Sequence, residues 1–356
     1  MKNTVNIKYL SIAIILLASF AQNIKAQDVH FSQNYATPLY INPAMTGLMK
    51  GDFRAAIVYR NQWGAAMGGS PFRTMYGAAD MTLDGLGEYD RLAFGIMLYN
   101  DKAGDLNYHT NYGDIALAYN VGLSEHAFLS LGLTGGIAQR GFDLTNAQFG
   151  SQSDGVQYVP GMSSGENFAS TGIWRANLGA GVMFYNAFDE RNNFFLGGGM
   201  YHVTQPDVVF TDNSTADSQI QSKLSVQAGG SVAVAKTVDI VPTVYFLKQG
   251  PHVKTEAGAF ARFILTHNRH TGLDKAFNIG AFTRMGSSVD GSFGLNSLIL
   301  ATRLEYNEIG VGVSYDLNLS DISAASGRGG IEVAVTYTTQ LRDHRKRSNT
   351  MVCPSF

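Results

Sequence analysis

Apolar and polar residues alternate with a period of two along most of this chain. From Ile309 to Leu319, Ile309, Val311, Val313, Tyr315, Leu317 and Leu319 alternate with Gly310, Gly312, Ser314, Asp316 and Asn318. Residues i and i+2 of a strand share a face, so one face here is wholly apolar and the other small or polar. Leu129, Leu131, Leu133 and Ile137 stand in the same way against Ser130, Gly132, Thr134, Gly136 and Ala138. Leu224, Val226, Ala228, Val232 and Val234 alternate with Ser225, Gln227, Gly229, Ser231 and Ala233, and Ile331, Val333, Val335 and Tyr337 with Glu332, Ala334, Thr336 and Thr338. The pattern predicts fourteen strands, at 53–60, 73–81, 91–100, 112–121, 127–139, 173–185, 193–204, 223–235, 238–247, 253–265, 276–285, 297–305, 308–318 and 330–340. The number is even, as in bacterial single-chain barrels.

A soluble sandwich also alternates, so the direction of the apolar row has to be argued. The second face is Gly, Ala, Ser or Thr with an occasional Arg or Glu, whereas the outside of a sandwich is rich in Lys and Glu. Small and polar side chains suit a barrel lumen, with the aliphatic row against lipid. The connections agree. Counted from a periplasmic N-terminus, the odd ones (61–72, 101–111, 140–172, 205–222, 248–252, 286–296, 319–329) are generally longer than the even ones (82–90, 122–126, 186–192, 236–237, 266–275, 306–307). Outer-membrane barrels have long outer loops and short periplasmic turns, and a sandwich has no reason for the asymmetry. The fold class is therefore all-β, a transmembrane antiparallel β-barrel of about 14 strands over residues 53–341.

Composition fits the same picture. The chain has 40 Gly, 8 Pro, 17 Tyr and 21 Phe in 356 residues, with 15% charged residues. That is too little charge for disorder or for a helical bundle rich in Glu and Lys. The net charge of −2 argues against nucleic acid or another polyanion as partner. Cys353 stands alone, so no intramolecular disulfide forms. Lys2 and Lys8 precede an apolar run from Tyr9 to Phe20, and Ala26 comes before Gln27. This reads as a cleaved signal peptide over 1–26, since a spanning helix needs about 20 apolar residues. Residues 27–52 read as an extended, turn-containing segment, periplasmic or lumenal, with a reversal at Asn42-Pro43. Residues 342–356 form a basic tail with Arg342, Arg345, Lys346 and Arg347. Tyr59, Tyr99, Tyr119, Tyr185, Tyr201, Tyr245, Tyr306 and Tyr315 lie near strand ends, where about half of them suit an interfacial girdle and the others ordinary packing.

Candidate chemistry is sparse. His267 and His270 at i and i+3, beside Asp274, lack a held third ligand for zinc, and a solvated basic turn is the better reading. Residues 211–218 lack the ligand spacing of a calcium loop. No Gly-x-Ser-x-Gly occurs, and His202, near a strand end, reads as structural. Gly197-Gly198-Gly199 precedes no helix, so it reads as room for curvature or close strand contact, not as a phosphate cradle. No catalytic, cofactor or metal site is expected. Arg175, Arg262, Arg303 and Glu305 fall on or near the small-residue face. They line either a polar pore or a filled lumen, and bulky inward positions elsewhere favour the filled one.

Several landmarks resemble a known family. Phe31-Ser32-Gln33 with Pro38-Leu39-Tyr40-Ile41-Asn42-Pro43-Ala44-Met45-Thr46-Gly47 looks like the opening of the PorP/SprF family, and Tyr59-Arg60-Asn61-Gln62-Trp63 resembles its first outer loop. Asn100-Asp101-Lys102-Ala103-Gly104, Tyr315-Asp316-Leu317-Asn318-Leu319-Ser320, Gly329-Gly330-Ile331-Glu332 and Cys353-Pro354-Ser355-Phe356 follow in family order, the last favouring the SprF-like branch. The resemblance implies an outer-membrane protein of the Bacteroidota type IX secretion system, a non-catalytic partner or anchor in gliding or attachment. Its expected partners are the C-terminal domain of a secreted, adhesin-like surface protein, other type IX secretion subunits or a peptidoglycan-associated periplasmic lipoprotein, and outer-membrane lipid. Phe142, Leu144, Phe149, Val156, Tyr158, Val159 and Phe168 in the longest loop are candidate partner anchors or, equally, a plug; Asn42, Pro43 and Trp63 are further candidates. The alternatives are a passive channel for small solutes and, more remotely, a lipid hydrolase.

Overall fold

A residue pattern of period two commits each segment to a strand, and fourteen form: β1 Phe53–Gln62, β2 Phe72–Asp84, β3 Arg91–Ala103, β4 Tyr108–Gly122, β5 Ala127–Gly141, β6 Gly172–Ala187, β7 Asn193–Tyr201, β8 Lys223–Ala235, β9 Val238–Gln249, β10 His252–Thr266, β11 Lys275–Ser287, β12 Phe293–Tyr306, β13 Ile309–Asn318 and β14 Gly330–Thr339. The structure is a computed structural model and describes residues 28–62, 72–84, 89–104, 106–145, 147–154, 157–159, 162–165, 170–210, 219–266, 274–287, 292–319 and 329–339. The expected basic tail lies outside the described residues, as do residues 1–27.

Each strand pairs antiparallel with its sequence neighbours, and β1 pairs with β14 from Phe53↔Thr339 to Gln62↔Gly330, which closes the barrel. Closure satisfies the backbone groups that an open sheet edge would expose to hydrocarbon. The strands correspond one for one to the expected spans, with several running longer: β12 begins at Phe293 and β4 at Tyr108. β7 is shorter, because His202 adopts φ +54° and turns the chain out of the ladder.

The two faces separate as the alternation requires. In β5, Leu131, Leu133 and Ile137 are exposed on the outside while Ser130, Thr134 and Ala138 are buried within. Tyr59, Tyr306 and Tyr315 point outward and Tyr119 is half-buried, whereas Tyr99, Tyr185, Tyr201 and Tyr245 are buried in the lumen. The tyrosines thus divide evenly between surface and interior. The long connections 142–171 and 202–222 share one end of the barrel; the tight turns Lys236–Thr237 and Asn307–Glu308 occupy the other. By the convention of such barrels, the long-loop end is the outer one.

Residues 28–50 fill the interior. They start at the outer end, where the Asp28 amide donates to Gln249 Oε1 at the end of β9 (2.8 Å), and leave at the inner end, where the Asp52 amide donates to the Thr339 carbonyl (3.0 Å). The segment expected as extended instead coils into three short helical turns, Asn34–Ala36, Pro38–Ile41 and Pro43–Met45. Pro38 and Pro43 supply preset φ angles at the first turn, where no N–H is needed, and the Asn42 side chain caps the last by accepting from the Ala44 amide (2.8 Å). Coiling brings Leu39, Tyr40, Ile41 and Met45 into one buried cluster with Tyr76, Tyr99, Tyr112 and Tyr185 from the wall.

Leu133, in the middle of β5 and 65% exposed, reports on the outer face. Leu133→Arg should cost about 2–4 kcal/mol of stability in a bilayer, the range for an arginine at the lipid midplane. Denaturant titration of the barrel refolded in vesicles measures it, and a cost near zero would mean that this face meets water.

Candidate functional site: the lumen seal and the outer rim

Inward positions of distant strands carry charges that the N-terminal segment completes. Arg60 on β1 pairs with Asp316 on β13 (2.8 Å) and Glu332 on β14 (3.0 Å). Arg284 on β11 pairs with the same Asp316 (2.6 Å) and with Glu256 on β10 (3.0 Å). Ser32 sits at the centre: its Oγ accepts from Arg60 (2.6 Å) and Arg284 (2.7 Å) and donates to Asp316 (2.7 Å). The amides of Ser32 and Gln33 donate to the two Glu332 oxygens (2.9 and 2.7 Å), and Asn34 Nδ2 donates to Glu256 (2.6 Å). All of these charged side chains are buried. Buried charges are tolerated where partners and hydrogen bonds compensate the lost hydration, and the network supplies both.

A second cluster holds the segment's first described residue. Asp28 meets His202 Nε2 (2.7 Å), Arg140 (3.3 Å) and Lys223 (3.5 Å), and the Lys223 ammonium lies 3.6 Å from the centre of the Tyr40 ring. Burial pushes the Asp28 carboxyl up, but His202, Lys223 and Arg140 outweigh it and hold the group far below the usual carboxylate range. Lys254 is the largest influence on His30; together with burial, Arg284 and Arg60 it pushes the imidazole well below its ordinary value.

Deeper in the lumen the fit is steric. A Cβ on Gly132 would lie 2.3 Å from the Pro43 carbonyl carbon, and one on Gly181 would lie 1.9 Å from Asn42 Oδ1. These inward glycines are the recess that receives the Asn42–Ala44 turn. There Asn42 Nδ2 donates to the Val182 carbonyl (3.0 Å) and the Ala44 carbonyl accepts from Ser130 Oγ (2.6 Å). Gly199, in the glycine run read as room for close contact, faces the Asn42 backbone. Below, the segment's exit is held by Arg54, which pairs with Asp80 (2.7 Å) and donates to the Met45 and Leu48 carbonyls (3.2 Å each). Across the inner end, Arg262 gathers Asp239, Asp274 and Glu305 at 2.9–3.2 Å.

The structure separates the residues singled out in the sequence. Asn42 and Pro43, expected as partner contacts, are buried in the seal and offer no surface while it is in place. Phe142 is half-buried and packs on Phe210 (ring centroids 4.8 Å apart), which also meets Tyr108 (6.4 Å), so it ties two outer loops to each other. Leu144, Phe149 and Val159 are half-buried and Tyr158 is exposed; the Phe149 amide donates to Gln152 Oε1 and a Ser153↔Tyr158 bridge folds the loop on itself. Val156, Phe168 and Trp63 lie outside the described residues. So do His267, His270 and residues 211–218, while Asp274 is engaged with Arg262. Arg175 donates to the Asp207 carbonyl near the outer rim, Arg303 lies against the Tyr35 ring, and Glu305 takes the Arg262 pair. Asp28, Ser32, Arg60, Asp316 and Glu332 were not picked out as a site from the sequence. The available signal was parity: Asp316 and Glu332 interrupt runs of small inward residues, and Arg60 is a charge at an inward position of β1.

The sequence profile of the type IX secretion system membrane protein family PorP/SprF matches residues 23–337. No curated protein matches the chain in sequence. Among solved structures, the chain is similar to the CymD monoaromatic hydrocarbon channel (TM-score 0.49, 11% identity, covering 87% of this chain and 94% of that one). It is also similar to the TodX monoaromatic hydrocarbon channel deltaS2 mutant (TM-score 0.46, 9% identity, 86% and 94%) and to a bacterial polysaccharide outer membrane secretin (TM-score 0.40, 9% identity, 82% and 100%).

Two outcomes test the seal. In planar bilayers the intact chain should stay close to non-conducting, while Gly132→Leu, which denies the Asn42–Ala44 turn its recess, should give steady conductance; a silent Gly132→Leu barrel would mean that the turn is not what blocks the lumen. The second outcome concerns pH. Because the folded-state pKa of His30 is depressed, the undocked segment binds a proton more readily, so docking is complete above about pH 6.5 and weakens as pH falls below it. The Asp28 pairing is also a depressed case, but its contribution is lost only below about pH 3.9. Amide protection over residues 28–36, taken relative to the intrinsic exchange rate at each pH, should therefore fall between pH 7 and 5, and His30→Gln should remove that dependence. Protection that stays flat with pH in the unsubstituted chain would rule His30 out as the cause.

Proposed function

We propose that this chain, which belongs to the type IX secretion system membrane protein family PorP/SprF, is a non-catalytic partner and anchor for the export or surface retention of a secreted protein. One observation carries the reading: the lumen is occupied along its length by the chain's own residues 28–50, gripped by buried ion clusters at both ends. A barrel sealed in this way is poorly suited to passive solute flow, which leaves its ends as working surfaces. On the outer side, two long connections joined through Phe142 and Phe210, with Tyr158 exposed beside them, make a structured rim on a rigid support. An apolar anchor with a polar surround is the arrangement that gives most binding energy from few residues. The cargo is expected to be a large adhesin-like protein docked through its C-terminal domain, with secretion subunits or a peptidoglycan-associated lipoprotein meeting the periplasmic side. The apolar outer wall is the lipid contact.

Deleting the gene should strip one or a few proteins from the cell surface and leave the remaining surface proteome in place. Quantitative proteomics of surface-shaved cells reads this directly, and an unchanged surface would refute the anchor. Restoring the chain with Phe142→Ala, Tyr158→Ala and Phe210→Ala should recover the barrel in the membrane but only a minor part of the cargo.

A further inference from the structure

At the outer end of the lumen, between the start of the N-terminal segment and β8–β11, lies a cavity of about 160 Å³ whose charge is one-sided. Lys223, Lys254 and Arg284 line it with His30 and His252, and Asp28 is the one carboxylate among the lining residues. Asp28 is already engaged by His202, Arg140 and Lys223, and Arg284 by Asp316 and Glu256. Two donors remain. Lys254 Nζ and His252 Nε2 are both shielded from solvent and make no hydrogen bond among the described residues. The carboxylate near Lys254, Glu256, stands 3.8 Å away and already accepts from Arg284 and Asn34. Such donors are rarely left unsatisfied without a ligand or water to take them.

We propose that this cavity is a binding site for a carboxylate carried on an apolar stem, with Lys254 and His252 as its donors. His252 and Lys254 are inward residues i and i+2 at the start of β10, so their side chains converge on one side of the cavity. Val29, Leu247 and the Tyr40 ring supply the apolar wall, which suits a carbon stem better than a fully hydrated inorganic ion. The surrounding field is positive: Lys254, Arg284 and Arg60, together with burial, push the His30 imidazole well below its ordinary value. The cavity lies at the outer end of the lumen, the side on which a protein chain terminus or a free organic acid would arrive. The proposal goes beyond the cargo reading and does not depend on it.

The test uses the full-length barrel in detergent and isothermal titration calorimetry with butyrate, with butyramide as the uncharged control. Butyrate should bind saturably at one site and butyramide should not. His252→Gln combined with Lys254→Gln should weaken butyrate at least tenfold, while Lys254→Arg, which keeps the charge, should retain it and shows that the wall tolerates substitution. A short peptide with a free C-terminus, compared with its amidated form, separates the two sources. A free-acid peptide tighter than butyrate assigns the site to a chain terminus, and butyrate tighter than the peptide assigns it to a small acid. Absent saturation by either carboxylate, equal binding of butyrate and butyramide, or an unaffected double variant would overturn the proposal.

Discussion

A guanidinium buried inside a barrel is tolerable only where fixed carboxylates and acceptors replace its water, and Arg60 meets that condition through residues spread over the whole chain. Its partners stand on the two last strands, Asp316 on β13 and Glu332 on β14, while Ser32 reaches it from the N-terminal segment. Removing one member would strand the others, at a typical cost of about 3–5 kcal/mol for a broken buried pair. The Arg60–Glu332 pair also spans the seam that closes the barrel, since these residues face each other in the β1–β14 register. Ser32 and Gln33 saturate Glu332 from inside. Seam closure and segment docking are therefore one event energetically: a closed seam without the segment leaves Glu332 short of two donors.

The steric part of the interior follows the same logic. A lumen lined by glycine and serine would be a void if left empty, and voids forfeit dispersion contacts. Here the small residues are the complement of a bulky insert: Gly132 and Gly181 receive the Asn42–Ala44 turn, and Ser130 and Ser225 donate to its Ala44 and Ile41 carbonyls. The side-chain sizes on the two surfaces were set against each other, so neither wall nor insert is well packed alone.

Most of the barrel was legible because period two needs no knowledge of partners: alternation assigns a face residue by residue, and loop length assigns an end. The fourteen strands, their order and the inward placement of Arg262, Arg303 and Glu305 came through on that basis. Tyr99 and Tyr201 show how far the same signal reaches, since each shares parity with small inward residues, Gly95 and Gly199. What parity cannot supply is the identity of a partner across the lumen. Arg60, Asp316, Glu332 and Ser32 each sit within a separate family landmark, tens to hundreds of positions apart, and only the folded chain shows that these landmarks are one cluster. The path of residues 28–50 was hidden for a different reason. A proline-punctuated stretch reads equally as extended or coiled, and the choice is made by the wall that surrounds it.

The outer cluster joins this interior to the loops. Arg140 stands near the end of β5, just before the 142–171 connection, and His202 opens the 202–222 connection; both hold Asp28. Phe142 and Phe210 link the same two connections at the long-loop end. The bases of the two longest loops thus converge on a single carboxylate of the sealing segment. An object that displaces either loop base must stretch or replace an ion pair to Asp28, and in a buried site such pairs are not exchanged for water without a substantial penalty. The rim and the seal are consequently not independent surfaces: the rigidity that lets the loops present a partner surface derives in part from the segment that blocks the pore.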